Sequence, residues 1–167
     1  MNKQVAPSRD LSGVWTALLT PFTPSLAIDW PAFERLIALQ TQGGVRGVVL
    51  GGTTGEAPTL SVQERLDLIK RTRAMAPTSL RIMAGTGSSN TEQTVELSRL
   101  AVEAGADSLL VVTPPYNKPN PSGMRGHFER VASSVKVPIC LYHVPGRTAQ
   151  TLPVSQLAAL CEIDGIV

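Results

Sequence analysis

The sequence predicts an α/β fold in which a parallel β-sheet is covered by α-helices. Short apolar runs alternate with amphipathic segments, and the pair repeats about every 30 residues, the length of a βαβ unit. The apolar runs are nearly continuous, which is typical of strands buried on both faces of a parallel sheet. Two closures fit this alternation: a (β/α)₈ barrel and an open doubly wound sheet.

Five strands are predicted, over residues 14–19, 45–50, 80–84, 108–112 and 138–142. Gly165-Ile166-Val167 opens a sixth strand, and there the chain stops. A whole barrel typically needs about 250 residues, and no shift in composition marks a second domain. If the fold is a barrel, we expect residues 1–167 to be one incomplete TIM-barrel domain, with a polar leader at residues 1–12.

Capping residues and apolar stripes predict the helices between the strands. Asp29 is a good N-cap, and a proline follows it in the first turn. Ser61 with Glu64, and Ser89 with Glu92, have the spacing of a capping box. The remaining signals are glycine stops at 43–44 and 105, a helix over 121–134, and a last helix that carries Leu157 and Leu160.

The amino-acid composition is typical of a globular protein and argues against nucleic-acid-binding and membrane-spanning classes. The 167 residues are 43% hydrophobic and 17% charged, with a net charge of +2. No block of Lys and Arg is present, so a nucleic-acid partner is not expected. Met1 to Asp10 lacks an apolar signal core, and no apolar run is long enough for a membrane span. These features predict a globular protein of the cytoplasm.

The cysteines and histidines indicate neither a disulfide framework nor a metal site. Cys140 and Cys161 both lie in apolar contexts, so we expect buried reduced thiols, which fit an intracellular compartment. His127 and His143 are far apart and lack the spacing of zinc ligands. No bound metal is expected.

The stretch Gly51-Gly52-Thr53-Thr54-Gly55-Glu56 follows the second strand. Its glycines permit a sharp turn and a close approach to a ligand, and its two hydroxyls can bind a small polar anion. In α/β proteins the loops that leave the C-terminal ends of strands bind ligands. The alternative is an ordinary βα connection made of turn-forming residues. Glu56 has no evident partner carboxylate for paired acid/base work, so we expect it to brace the loop by hydrogen bonds.

Three later strand exits also carry chemically active residues. The third exit holds Gly85-Thr86-Gly87, the fourth holds Tyr116-Asn117-Lys118, and the fifth holds Tyr142 and Arg147. Tyrosine hydroxyls near other hydroxyls can pass a proton along a hydrogen-bonded chain. Arg147 can hold a carboxylate, although alone it also fits a solvated loop arginine. In a barrel these exits share the active-site face.

Rival motifs fit poorly. Asn90 stands where the third glycine of a dinucleotide fingerprint belongs, and the loop after Leu50 lacks the lysine of a phosphate-binding P-loop. No G-x-S-x-G nucleophile elbow is present. The exits therefore do not indicate a nucleotide site or a serine hydrolase.

The four motifs together resemble the dihydrodipicolinate synthase (4-hydroxy-tetrahydrodipicolinate synthase) family. They are Gly-Gly-Thr-Thr-Gly-Glu at 51–56, Gly-Thr-Gly at 85–87, Thr-Pro-Pro-Tyr-Asn-Lys-Pro at 113–119 and Tyr-His-Val-Pro-Gly-Arg-Thr at 142–148. The resemblance runs from about Gly13 to the end. It implies a TIM barrel and a class I aldolase mechanism without metal or organic cofactor.

The resemblance also implies substrates and residue roles. Pyruvate would form a Schiff base with a lysine and, as the enamine, attack L-aspartate 4-semialdehyde in lysine biosynthesis. Thr54 would bind the pyruvate carboxylate, Thr53 and Tyr116 would relay protons, and Tyr142 would be the general acid/base. Arg147 would receive the semialdehyde carboxylate. Tyr116 would reach across a subunit interface, so a homodimer or homotetramer is expected.

Two departures from the family pattern stand out. His143 occupies a position where the family often has Asn. The Schiff-base lysine of the family lies a few residues beyond the position matched by Val167, and none of the chain's lysines replaces it by position: Lys3, Lys70, Lys118 and Lys136. We therefore expect the chain alone to be inactive, because the mechanism needs that amine.

Two alternatives remain open on sequence. One is another 2-keto-acid aldolase of the N-acetylneuraminate lyase superfamily. The other is a non-catalytic α/β module that binds a small acid or pairs with a partner chain.

Overall fold

The computed structural model describes residues 10–167, so the first nine residues of the leader predicted at 1–12 lie outside the described residues. Five parallel strands form one sheet in the order β1-β2-β3-β4-β5. The strands are β1 (Trp15–Ala17), β2 (Gly47–Leu50), β3 (Arg81–Gly85), β4 (Ser108–Val112) and β5 (Ile139–Tyr142). The helices are α1 (Trp30–Gln42), α2 (Val62–Met75), α3 (Thr91–Glu103), α4 (Pro121–Ala132), α5 (Pro145–Thr148) and α6 (Val154–Cys161).

The consecutive strand order decides between the two predicted closures. A doubly wound sheet reverses its strand order at a switch point, whereas a barrel adds each strand beside the last. Here every strand pairs with its neighbour in sequence, which confirms the prediction of a partial barrel. Ile166 forms a parallel bridge to Ile139 on the free edge of β5. The predicted sixth strand therefore begins where a barrel requires it.

The core lies between the sheet and the helices. Val48 pairs with Ile82, and Leu109 pairs with Ile139, so fully buried residues face one another in register across β2 to β5. Burial alternates in β4, because Leu109 and Val111 are buried whereas Leu110 and Val112 are only partly covered. The partly covered side is the concave side of the half barrel.

Local capping explains most of the helix starts. The Asp29 side chain accepts a hydrogen bond from Ala32 N, and Ser61 and Glu64 form the predicted capping box. The prediction of a box at Ser89 is wrong, since Asn90 caps α3 by accepting from Gln93 N. Asn and Ser are equally good caps. The neighbouring hydroxyl of Ser88, which donates to Asn90 O and accepts from Asn90 N, favours the later start.

The cysteine prediction is wrong in part. Cys140 is half-buried on β5, but Cys161 is exposed at the end of α6. Both are free thiols. Burial, the larger cause, together with the nearby Cys161 thiol raises the pKa of Cys140. The buried face of α6 carries other residues of this apolar run, such as Leu160, and Cys161 lies outside that face.

Among residues 10–167, no helix combines the length and apolar character that crossing a bilayer requires.

Candidate active site

A cavity of about 280 Å³ opens at the C-terminal ends of the strands. Residues from the exits of β2, β3, β4 and β5 line it, and α2 adds one side chain. The lining residues are Gly51, Gly52, Thr53, Ala57, Pro58, Arg65, Gly85, Gly87, Leu110, Val112, Pro115, Tyr142, Arg147 and Thr148. The cavity thus joins exits that lie up to about 97 residues apart in sequence, as the prediction of a shared face requires.

Glycines allow the exits to pack directly on one another. A Cβ atom at Gly85 would lie 2.2 Å from the carbonyl oxygen of Gly51. A Cβ atom at Gly87 would lie 2.5 Å from the backbone nitrogen of Val112. No side chain fits at either position without a shift of backbone, so these two glycines set the spacing of the β2, β3 and β4 exits.

The loop that contains Thr53 is held mainly through its backbone. The Thr20 hydroxyl, buried at the end of the first strand segment, donates to Gly55 O at 2.8 Å. Within the loop, Gly55 N donates to Gly52 O and Glu56 N donates to Thr53 O. These bonds hold the backbone of the loop across the mouth of the cavity.

The prediction that Glu56 braces this loop by its side chain is not met. The residue is exposed in a left-handed conformation with φ of 56°. Its carboxylate has no hydrogen bond to any residue in the described part of the chain, whereas its backbone oxygen accepts from the Thr59 hydroxyl at 2.9 Å. Glu56 therefore serves this loop through its left-handed backbone, which lets the chain turn between β2 and α2, and not through its carboxylate.

Tyr142 ends β5 on the concave side. Its backbone oxygen accepts from Thr113 N at 2.9 Å, which ties the β4 exit to the β5 exit. The next residue, His143, shares a hydrogen bond of 2.9 Å between its Nδ1 and the Thr113 hydroxyl. The His143 Nε2 is buried without a partner among the described residues. The imidazole at this position therefore braces the backbone on which Tyr142 stands.

Arg147 lies on the short helix α5, which had been predicted only as a loop. The Thr148 hydroxyl donates to Val144 O at 3.1 Å and is buried, so it anchors this turn against the sheet. Arg147 itself is exposed and lines the cavity. The short helix thus holds an exposed, charged side chain at a defined point of the rim.

The structure brings Thr53, Tyr142 and Arg147 to the same cavity, but not Thr54 and Tyr116. Thr54 is exposed and does not line the cavity. Tyr116 is 89% exposed, with φ of 69°. A positive φ is strained for an aromatic residue. Thr54 and Tyr116 are therefore not among the residues that line this cavity, and the roles predicted for them stay predictions.

Arg65 is a cavity residue that the sequence reasoning missed. Its Nη2 donates to Gly85 O at 2.6 Å, and burial lowers the pKa of its guanidinium. A signal was available: Arg65 lies one turn after the N-cap Ser61, and Arg65 N donates to Ser61 O. First-turn residues of a helix that follows a ligand loop face back toward that loop.

The cavity lining contains arginine side chains and hydroxyl groups but no set of metal ligands. It contains neither carboxylate nor lysine. Within residues 10–167, no three His, Cys, Asp or Glu side chains come together as metal ligands. The arrangement can bind an anion and move a proton between hydroxyl groups.

Comparison with known proteins agrees with this geometry. The 4-hydroxy-tetrahydrodipicolinate synthase of Bdellovibrio bacteriovorus is 45% identical over 159 residues, covering 95% of this chain and 54% of that protein. The synthase of Methanosarcina mazei is 42% identical over 155 residues, covering 93% and 53%. The chain spans about half the length of the curated relatives it matches.

Solved structures agree as well. The chloride-inhibited dihydrodipicolinate synthase of Acinetobacter baumannii, complexed with pyruvate, superposes with a TM-score of 0.91 at 39% identity, covering 95% of this chain and 54% of that one. A Bacillus anthracis dihydrodipicolinate synthase gives 0.89 at 37% identity, with the same coverage. The model of the Dihydrodipicolinate synthetase family matches residues 10–167. The chain belongs to this family.

Proposed function

We propose that this chain supplies the β1–β5 exits of the active site of a 4-hydroxy-tetrahydrodipicolinate synthase, a lyase. That enzyme condenses pyruvate with L-aspartate 4-semialdehyde in lysine biosynthesis. The observation that carries the proposal is the meeting of Thr53, Tyr142 and Arg147 at one cavity, in a chain of this family. The pyruvate bound to the Acinetobacter baumannii enzyme, whose matched part has the same fold, supports the substrate class.

The chemistry that we propose is the one that the resemblance to the synthase family implies. A lysine amine attacks the carbonyl carbon of pyruvate, water leaves, and the resulting Schiff base loses a methyl proton to become an enamine. The enamine carbon attacks the aldehyde of the semialdehyde. Each step moves a proton, which Tyr142 gives and receives while Thr53 and Tyr116 carry it to and from solvent. Thr54 binds the pyruvate carboxylate, and Arg147 binds that of the semialdehyde.

The cavity has no lysine amine among its described lining residues. None of the three lysines among the described residues, Lys70, Lys118 and Lys136, lines the cavity. We therefore expect no Schiff base on the 167-residue chain. Incubation with pyruvate and borohydride, followed by intact-mass spectrometry, should leave its mass unchanged. The Bdellovibrio bacteriovorus relative, treated in parallel as a positive control, should gain one reduced pyruvyl group. A pyruvyl adduct on this chain would contradict the expectation.

The proposal itself is tested in a chimera. The chain is joined to the remaining C-terminal part of the Bdellovibrio bacteriovorus relative, which carries the other strands. We expect this chimera to form the borohydride-trapped adduct and to condense pyruvate with the semialdehyde. Tyr142→Phe in the chimera should lower turnover at least about 100-fold, because it removes the general acid/base. A folded chimera that cleaves N-acetylneuraminate but does not condense the semialdehyde would overturn the assignment.

The exposure and backbone strain of Tyr116 support the assembly part of the proposal. Tyr116 is 89% exposed, so little packing within the described residues offsets its left-handed backbone. In a homodimer or homotetramer of the cytoplasmic enzyme, Tyr116 would enter the neighbouring subunit's site. Sedimentation of the chimera tests this: a monomer that turns over at the rate of the relative would contradict it.

A further inference from the structure

Arg65 differs from every other sheltered arginine in the described part of the chain. Three arginines there are only partly exposed: Arg65, Arg73 and Arg81. Arg73 and Arg81 both pair with one carboxylate, that of Asp107. Arg65 makes no ion pair with any residue from 10 to 167, although it stands in the wall of the cavity. It is thus the one sheltered guanidinium there whose charge no carboxylate balances.

The guanidinium is held in place before any ligand arrives. Nη2 donates to Gly85 O at 2.6 Å, and Nε is enclosed near Gly51 without an acceptor. Since the side chain is already ordered, a ligand does not have to meet the full entropy cost of fixing a long arginine. In a wall shielded from water, a fixed charge also attracts an anion more strongly than at an open surface.

The surroundings select the kind of anion. Leu110, Val112 and Pro115 supply an apolar lining beside the charge. A bare phosphate would leave oxygens desolvated against these side chains, whereas the carbon skeleton of an organic acid would pack on them. The planar fork of a guanidinium matches a carboxylate and a phosphate alike, so it is the apolar lining that favours the organic acid.

We propose that Arg65 is an anion-binding residue of the cavity and takes the carboxylate of a small organic acid. This position is separate from those assigned above to Thr54 and Arg147. The inference goes beyond the proposed function, because it needs neither the Schiff-base lysine nor turnover and concerns this chain's own residues.

The test uses the ¹⁵N-labelled 167-residue chain at low ionic strength, with malonate as the probe. The Nε–Hε resonance of Arg65 is a direct reporter, since the enclosed Nε exchanges slowly with solvent. We expect malonate to shift this resonance saturably and to shift the Gly85 amide with it. Inorganic phosphate should bind at least about tenfold more weakly. No saturable shift at Arg65, or phosphate binding as tight as malonate, would overturn the proposal.

Variants make the test quantitative. Arg65→Gln should weaken malonate binding about 10- to 100-fold, the worth of a hydrogen bond to a charged group. Arg35→Gln, which removes an exposed arginine on α1, is the matched control and should change binding less than twofold. Equal affinity in the two variants would refute the role of Arg65. If Arg65→Gln does not fold, the wild-type Nε–Hε shift still decides the question.

Failure of the synthase assignment would appear separately, as a chimera that forms no pyruvate adduct while Arg65 still responds to malonate.

Discussion

Replacing Gly85 by alanine tests whether the close packing of the exits determines the stability of this half barrel. The added Cβ would lie 2.2 Å from Gly51 O and 3.2 Å from Gly52 N. The first contact is more than about 1 Å shorter than an ordinary van der Waals contact. Both neighbours are backbone atoms at the end of β2, so no side chain can rotate away to relieve the overlap.

The cost should reach the upper end of the range for overpacking, about 3 kcal/mol. For a chain of this size, that corresponds to a fall in melting temperature of roughly 6–12 °C. Thermal unfolding followed by circular dichroism measures the change. The same displacement moves the loop that carries Thr53, so the amide resonances of residues 51–56 should shift in the folded variant.

Gly126→Ala is the matched control. Gly126 lies inside α4, and a Cβ there would meet no atom within 4 Å. Alanine in a helix interior is about 0.5–1 kcal/mol more favourable than glycine, so this variant should melt slightly higher than the wild type. If both alanine variants melt within a degree of each other, the argument that the Gly85 contact holds the exits together is refuted.

Three further predictions concern residues away from the cavity. Asp107→Asn should cost about 2 kcal/mol, because the carboxylate bonds two half-buried arginines and accepts from Ile82 N. Ser61→Ala should cost about 1 kcal/mol by removing the capping box of α2. Burial lowers the pKa of His127 in the folded state, so the unfolded chain binds more protons as the pH falls through about 6.5. Stability should therefore decrease on acidification in that range, by at most about 1.4 kcal/mol per pH unit, and His127→Gln should remove this slope.

Urea unfolding measures all three, and two surface variants serve as controls. Glu34→Gln breaks an exposed ion pair at 3.5 Å and should change stability by less than about 0.5 kcal/mol. Ser79→Ala removes an exposed hydroxyl and should be neutral. An Asp107→Asn variant no less stable than Glu34→Gln would refute the shared-carboxylate argument, and Ser61→Ala as stable as Ser79→Ala would refute the capping argument. For His127, an unchanged pH slope in the glutamine variant would show that another group is responsible.

The sequence predicted the elements of the fold well, because the signals that define them are local. Apolar runs mark the strands, and caps such as Asp29 and Ser61 act on backbone groups three residues away. The site was predicted less completely. The sequence placed Thr53 and Tyr142 at strand exits, and from there the parallel topology alone brings them to one face.

The residues that were missed depend on contacts distant in sequence. Arg65 donates to a carbonyl 20 residues away, a partner that its position in the first turn of α2 does not specify. Cys161 is exposed because α6 turns Leu160 inward instead, which a run of apolar letters does not specify. Tyr116 lies at an exit as predicted, but its exposure and its positive φ are not revealed by the sequence of a non-glycine residue.

Single hydrogen bonds link each strand exit to the next, so the exits form one continuous chain of contacts around the rim of this half barrel. Thr20 binds Gly55, Arg65 binds Gly85, Asn117 binds Ser89 O, and Gln150 binds Pro119 O. Strand-exit loops are usually regarded as exchangeable parts on a rigid scaffold. Here, grafting one loop from a relative would remove a contact on which the next loop depends. Engineering a new specificity would therefore require adjacent loops to be transplanted in pairs.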